Sequence, residues 1–430
     1  MFSGFRWLTG VWLVVGLLVS SVSAEDWPVW RGPRGDGTSL ETNVPVQWSA
    51  TENIAWKTPL PVSGHSSPIV WKDTIFVVGV DVDPESRLNN KRQPDNKVDR
   101  VLLALDRRTG KILWQRVVVR TLLEQIHRLN SRASSTPATD GKLVYVSFLD
   151  DDSMYVAAFD FEGNEVWKVR PGVFASKHGY CSSPIFFKNK LIVNGDHDGE
   201  AYLVALDRQT GKTLWKTDRE NKTRSYCTPI IREIDGRTQM LLSGSKCVAS
   251  FDPNNGKRHW IIDGPTEQFV ASLVYNQGLV FVTGGFPDKH ILTIDPRGSG
   301  NVTDSHIRWR HYRQGVSYVP SPIAVGKYFF VVSDEGLGTC LDALTGKKLW
   351  VERIGRHNSA SLVSANGLIY FLDDDGITKV VKASDTFEVV ATNELEEAAY
   401  ASPVISQGQI LIRGEKHLFC IGKGNKQVSR

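Results

Sequence analysis

The residues best equipped for chemistry stand just ahead of a recurring Ser/Thr word: His65; Arg132; His178 and Tyr180; Arg224 and Tyr226; Gln268 and Phe269; Tyr318; His357 and Asn358; Tyr400. Imidazole, guanidinium and phenol groups outnumber carboxylates in this set. It offers hydrogen-bond donors and aromatic faces suited to a small planar or anionic ligand, or to the edge of a peptide. The competing reading is that the same side chains bond between neighbouring repeats and fill the centre of the molecule. No His, Asp and Ser stand at a spacing that assembles a nucleophile with its base, so no catalytic residue is assigned. Acidic runs such as Asp150-Asp151-Asp152 and Asp373-Asp374-Asp375-Gly376 fall at strand-to-strand turns and lack the closing Glu of a twelve-residue calcium loop. The five cysteines, Cys181, Cys227, Cys247, Cys340 and Cys420, have no zinc spacing, and no metal site is predicted. An odd number leaves at least one thiol unpaired; Cys181 and Cys227 are either bridged or both free.

These residues need a scaffold, and the scaffold is a repeat. Ala104-Leu-Asp-Arg-Arg-Thr-Gly-Lys-Ile-Leu-Trp114 returns almost unchanged at Ala205 to Trp215 and at Cys340 to Trp350. Degraded copies carry Trp167, Trp260 and a delayed Trp309. The word reads as a strand ending at Asp, a tight turn closed by Thr-Gly, and a second strand that places an indole at a fixed position. Upstream lies the second word, Ser/Thr-Pro before an apolar strand, at Ser67, Thr136, Ser183, Thr228, Ser321 and Ser402, with Ser272 and Ser361 keeping the hydroxyl and losing the proline. Its hydroxyls are expected to satisfy backbone groups between inner strands. Each unit is then four short strands in roughly 40–50 residues, the period of a propeller blade.

Eight hydroxyl words imply eight blades. The last copy stops after three strands, and Asn53-Ile-Ala-Trp56-Lys57 precedes the first, so the N-terminal strand is expected to complete the final blade and remove an open edge. The predicted class is all-β, an eight-bladed propeller over residues 51–422 with a polar tail at 423–430. Residues 1–24, with Arg6, an apolar run and Val22-Ser23-Ala24, read as a signal peptide; a short membrane anchor is the other reading. A secreted, periplasmic chain follows. Residues 25–50 hold Trp27, Trp30 and Trp48 among turn formers, an arm expected to pack on the propeller wall. A formal charge of +4 is too small to point to nucleic acid. Asp83 to Arg100 reads as a solvated insertion over one mouth of the channel, and Thr121 to Ser131 as a short helix there.

The word Ala-x-Asp-x-x-Thr-Gly-x-x-x-Trp resembles the tryptophan-docking motif of PQQ-like β-propellers, the superfamily of quinoprotein alcohol dehydrogenases and BamB-type outer-membrane assembly scaffolds. The resemblance spans about Asn53 to Ile421. It implies that Trp56, Trp114, Trp167, Trp215, Trp260, Trp309 and Trp350 dock between neighbouring blades. Ala383-Ser-Asp385 to Val390 lacks both Gly and Trp, so the seventh blade should pack less well. A quinoprotein would imply PQQ, calcium, an Asp base and adjacent cysteines, and no Cys-Cys pair exists. A BamB-like scaffold needs a rigid ring with exposed loops, although a lipoprotein cysteine is missing. The reading favoured is a monomeric, non-enzymatic binding propeller with a protein or peptide partner in the cell envelope and no cofactor. PQQ with calcium belongs to the alternative, a dehydrogenase or other small-ligand enzyme.

Overall fold

In the computed structural model, which describes residues 24–82, 93–175, 177–312 and 315–423, short antiparallel strands form eight sheets arranged as a propeller. Each blade contributes four strands from the axis outward. Blades 1 to 7 span residues 69–123, 138–173, 185–218, 230–263, 274–312, 323–353 and 363–394. Blade 8 takes three strands from 404–421, and its outer strand is Ile54–Pro59, paired with His417–Ile421. The N-terminal strand therefore closes the ring. Tight inner hairpins such as Gln277-Gly278 and Asn366-Gly367 have left-handed φ at both central residues (50° and 78°, 49° and 72°), the turn whose twist matches paired strands.

The hydroxyl words form a belt around the axis. The backbone N–H of Ser67 donates to Thr136 Oγ1 (3.1 Å), Thr136 to Ser183 Oγ (3.0 Å), and Ser183 to Thr228 Oγ1 (2.9 Å). The chain continues from Thr228 to Ser272, Ser321, Ser361 and Ser402, each N–H donating to the next hydroxyl. At the join the pattern changes: Ser67 Oγ donates to the Ser402 carbonyl at 2.9 Å. Inner-strand groups that would be orphaned in the core are satisfied in this way from blade to blade. Arg413 of blade 8 crosses the same join, its Nη1 donating to Ser66 Oγ (2.7 Å) and Val78 O (2.8 Å) of blade 1.

Each Thr-Gly turn is a platform for the indole of the preceding blade. In blade 3, Asp207 Oδ1 accepts from the Thr210 N–H and hydroxyl (both 3.0 Å). Gly211, at φ 71°, lies under Trp167, whose ring would stand 2.7 Å from any added Cβ. A side chain there would fail both on backbone conformation and on space. The indole N–H of Trp167 donates to Arg208 O (2.8 Å). Trp56, Trp114, Trp215, Trp309 and Trp350 reach Arg107, Phe161, Pro253, Ala343 and Ser384 of the following blade in the same manner. Trp260 differs. It is fully buried and donates to Gln239 Oε1 (2.8 Å) of its own blade, while Gly300-Asn301 pairs with its strand edge.

The arm enters the axial channel. Trp27 pairs with Val70 of blade 1, Pro28 O accepts from Thr139 of blade 2, and Ser39 and Gly37 bond to Ser364 of blade 7. Arg34 O accepts from Arg232 of blade 4, and Glu25 O from Ser406 of blade 8. Trp30 Nε1 reaches the belt hydroxyl of Ser272 at 3.3 Å, and buried Arg31 donates to Pro322 O at 2.5 Å. Farther along, the arm serves blade 7. There Ala391 stands opposite Val380, where blade 6 has Trp350 opposite Cys340. The arm supplies an indole instead: Trp48 stacks on Tyr370 (6.4 Å between rings), the Trp48 backbone N–H donates to Asn393 Oδ1 (2.9 Å), and Tyr370 Oη donates to Pro45 O (3.1 Å). The strand register also puts Lys382, not Asp385, at the Asp position, with Lys382 paired to Glu388 at 2.6 Å.

Two expectations are corrected. Of the insertion, residues 83–92 lie outside the described residues, but 93–100 are strand rather than solvated loop, since Gln93–Asp106 pairs with Ile112–Leu123. Arg100 is fully buried, donating to Thr121 Oγ1 (2.9 Å) and Arg132 O (2.6 Å) and pairing with Glu124. The helix expected over 121–131 is absent. Pairing with the extended strand carries Leu122 and Leu123 forward in β conformation, and Leu129 remains exposed.

Candidate functional site

The connections from each outer strand to the next inner strand carry the sequence-predicted residues to one face, above the belt. Counting back from the belt hydroxyl sorts them. Two residues before it stand His65, Ser134, Cys181, Tyr226, Val270, Val319, Ser359 and Tyr400; all but Tyr226 keep surface exposed. His65, Tyr226 and Tyr400 belong to the predicted set. Ser134, Cys181, Val270, Val319 and Ser359 share their register; residue type does not single them out, whereas the offset from the hydroxyl does. His65 stacks on Tyr400 at 4.6 Å across the join of blades 8 and 1.

A second group spans blades 3 to 6. His178 stacks on Tyr226 (6.2 Å), and Arg224 donates from Nη1 to both Asp198 oxygens at 2.8 Å. Tyr318 Oη approaches Gln268 Oε1 at 3.5 Å. Burial and then Asp334 push the Tyr318 phenol up to about 12, against the pull of Arg224. The remaining predicted residues differ in exposure. Tyr180 is buried against Phe174 (5.1 Å), Gln268 is buried with its N–H on Phe286 O (3.1 Å), and His357 is exposed. Arg132 is also buried, its Nε donating to Glu124 O (3.1 Å) and its pKa lowered by burial. The structure thus forms the set into neighbouring pairs, with His65–Tyr400 on one side of the mouth and Arg224, His178, Tyr226 and Tyr318 on the other. Beside the first pair is a cavity of about 20 Å³ bordered by Gly64, His65, Arg132 and Glu415, room for about one water.

The cysteines are all free thiols, so Cys181 and Cys227 are not bridged. Cys181 Sγ instead lies 3.5 Å from Tyr226 O. Among the described residues no group of three His, Cys, Asp or Glu is placed to hold a metal ion.

Burial disfavours the charged form of several imidazoles around this face. His197 Nδ1 accepts from the N–H groups of Ala175 (3.2 Å) and Gly199 (3.0 Å), leaving no room for a proton, and its Nε2 is sealed without a partner. Both ring nitrogens of His290 are likewise sealed. Burial lowers the pKa of His127, His178, His197 and His290 below the ordinary 6.5. For a histidine with a depressed folded pKa, the unfolded chain binds the proton first. Stability is therefore fully present above about 6.5 and falls as pH drops below it, less for the partly exposed His127 and His178 than for buried His197 and His290. Asp334, Asp373 and Asp374, raised by burial, work in the opposite sense nearer the carboxylate range. The denaturation midpoint should fall between about pH 7.5 and 5.5; a flat profile would show these rings protonating freely in the folded state.

With the mouth described, relatives can be placed beside it. No curated protein matches the sequence significantly. Among solved structures, BamB from Moraxella catarrhalis aligns with a TM-score of 0.59 at 13% identity, covering 87% of this chain and 98% of that one. Quinohemoprotein alcohol dehydrogenase from Comamonas testosteroni aligns at 0.54 and 15%, covering 93% and 81%, and the computationally designed Ika8 protein at 0.58 and 13%, covering 90% and 99%. At these identities the likeness is one of fold, and a scaffold and an oxidoreductase share it. The sequence itself matches one family over residues 40–150, 98–286 and 288–428, nearly the whole propeller, and by that match the chain belongs to the PQQ-like propeller family described as outer membrane protein assembly factor BamB.

Proposed function

We propose that the chain is a secreted, periplasmic, non-enzymatic scaffold propeller that presents its mouth face to a protein or peptide partner in the cell envelope. The observation that carries this reading is the arm in the channel. Trp30 and Arg31 fill the axis up to the belt at Ser272 and Pro322, so the mouth is a shallow funnel with a fixed floor rather than a deep pocket. A rigid ring with exposed connections suits a flat protein surface. Membership of the BamB family supports the same choice.

The alternative, a dehydrogenase using PQQ with calcium, fits the residues present less well. The described residues offer no group of three carboxylate, imidazole or thiol ligands, and no two cysteines are adjacent. Titration with PQQ and calcium, followed by thermal unfolding, separates the two readings: saturable binding that raises the unfolding temperature overturns the scaffold.

Partner capture by crosslinking in an envelope extract tests the mouth directly. Replacing Arg132 would disturb the buried Arg100–Glu124 group, so the informative variant is Arg224→Ala with His357→Ala. It should keep its denaturation midpoint and bind the captured partner about tenfold more weakly, a loss of about 1.4 kcal/mol. Unchanged capture would move the contact surface away from the mouth.

A further inference from the structure

Outside the mouth, the groove between blades 3 and 4 holds a cavity of about 260 Å³, bordered by Thr217, Arg219, Asn221, Cys247, Phe251 and Ile261. Its floor is a buried charged side chain. Four residues after the docking tryptophan the chain carries Leu60 in blade 8, Val118 in blade 1 and Ile354 in blade 6, and the last two are buried apolar plugs. In blade 3 the position is Arg219, its side chain 5% exposed and paired with fully buried Asp196.

The bonding of Arg219 leaves one edge unused. Nε donates to Asp196 Oδ1 (2.8 Å), and Nη2 to Asp196 Oδ2 (3.2 Å), Gly244 O (3.1 Å) and Cys247 Sγ (3.6 Å). Nη1 has no bond to a described residue, yet it is not among the sealed atoms left without a partner. A guanidinium held rigid on two sides thus keeps its Nη1 amino group for a ligand in the cavity that Arg219 lines. The charge is held in place: burial opposes it, but Asp196 and the Cys247 sulfur together outweigh burial and hold the Arg219 pKa above its ordinary value.

We infer that this groove binds a small organic carboxylate, with the carboxylate on Arg219 Nη1 and an apolar body against Phe251 and Ile261. The class follows from the walls. Guanidinium groups match carboxylate and phosphate oxygens; exposed Asp218 and Glu220 also border the cavity, and since Glu220 pairs with Arg258 on the same rim (2.9 Å), it is the Asp218 carboxylate that disfavours a dianion such as phosphate relative to a monoanion. The volume lies just below the roughly 300 Å³ at which pockets for drug-sized ligands begin, so the ligand is small. Asn221, whose Nδ2 donates to Ser245 O (2.7 Å), holds the rim in place.

Calorimetric titration of the full chain with benzoate, and with benzylamine as its cationic counterpart, tests the assignment. Benzoate should bind saturably and benzylamine should not. Ile261→Phe fills the cavity without touching the ion pair and should weaken benzoate at least about tenfold. Arg219→Lys keeps a charge for Asp196 but removes the guanidinium edge, and should weaken it similarly. If Arg219→Lys fails to fold, Ile261→Phe decides. Absence of benzoate binding, equal binding of benzylamine, or unchanged affinity in Ile261→Phe would each overturn the site.

Discussion

A chain beginning at residue 50 should be about 4 kcal/mol less stable than one beginning at residue 24, because two buried indoles, each contributing about 2 kcal/mol, leave with the arm. Trp27 is 1% exposed between the inner strands, and Trp48 is 5% exposed on Tyr370. The arm's hydrogen bonds to the inner strands of blades 1, 2, 4, 7 and 8, and to Ser272 and Pro322 ahead of blades 5 and 6, offset the cost of ordering it. Denaturant titration of both chains measures the difference. Hydrogen exchange locates it: amides of Val70, Thr139 and Ser364, bonded to the arm, should lose protection in the shorter chain. A loss below about 1 kcal/mol, the worth of a single hydrogen bond, would mean that the arm only rests in the channel.

The second large effect separates the tryptophans. Trp260→Ala should cost about 4–5 kcal/mol and Trp215→Ala about 3 kcal/mol, both within the range for aromatic truncation in a core. Trp260 is fully buried, and its loss also strips Gln239 Oε1 of a donor. Trp215 is partly exposed, and its removal frees Pro253 O and uncovers Gly256. Equal losses in the two variants would contradict the distinction between an indole held inside its blade and one docked between blades.

The ring was legible in the sequence because its determinants are local and repeated. Asp, Thr and Gly build a turn within a few residues, and the same turn seats the indole of the preceding blade, as Gly211 seats Trp167. The belt was legible for the same reason. The destination of the arm was not: Trp27 to Gly37 has no strand alternation, and its bonds run to residues hundreds of positions away. Nor was the register of the mouth. Arg132 and Arg224 each stand four residues ahead of their hydroxyl, yet Arg132 lies buried against Glu124 while Arg224 keeps surface, so the offset alone does not set exposure at the mouth. Blade 7 misled through an apparent Asp385, where the pairing seats Lys382. The cavity at Arg219 needed the third dimension, since Asp196 and Cys247 come from different blades.

The belt has a direction. From Ser67 to Ser402 every link runs from an N–H to a hydroxyl of the following blade, and only the link from Ser402 back to Ser67 breaks the sense, with Ser67 Oγ donating to a carbonyl. That link lies where the chain's two ends share one blade and where Arg413 reaches across. The ring thus has a seam, and covalent continuity is missing at the same place as the repeating bond. A circular permutant that joined Ile421 to Ile54 and opened the chain between two other blades would put a peptide bond across the present seam and leave the reversed belt link where it is. Comparing where such a permutant and the natural order, both without the arm, first unfold would tell whether the break in the chain or the break in the belt is the weak point.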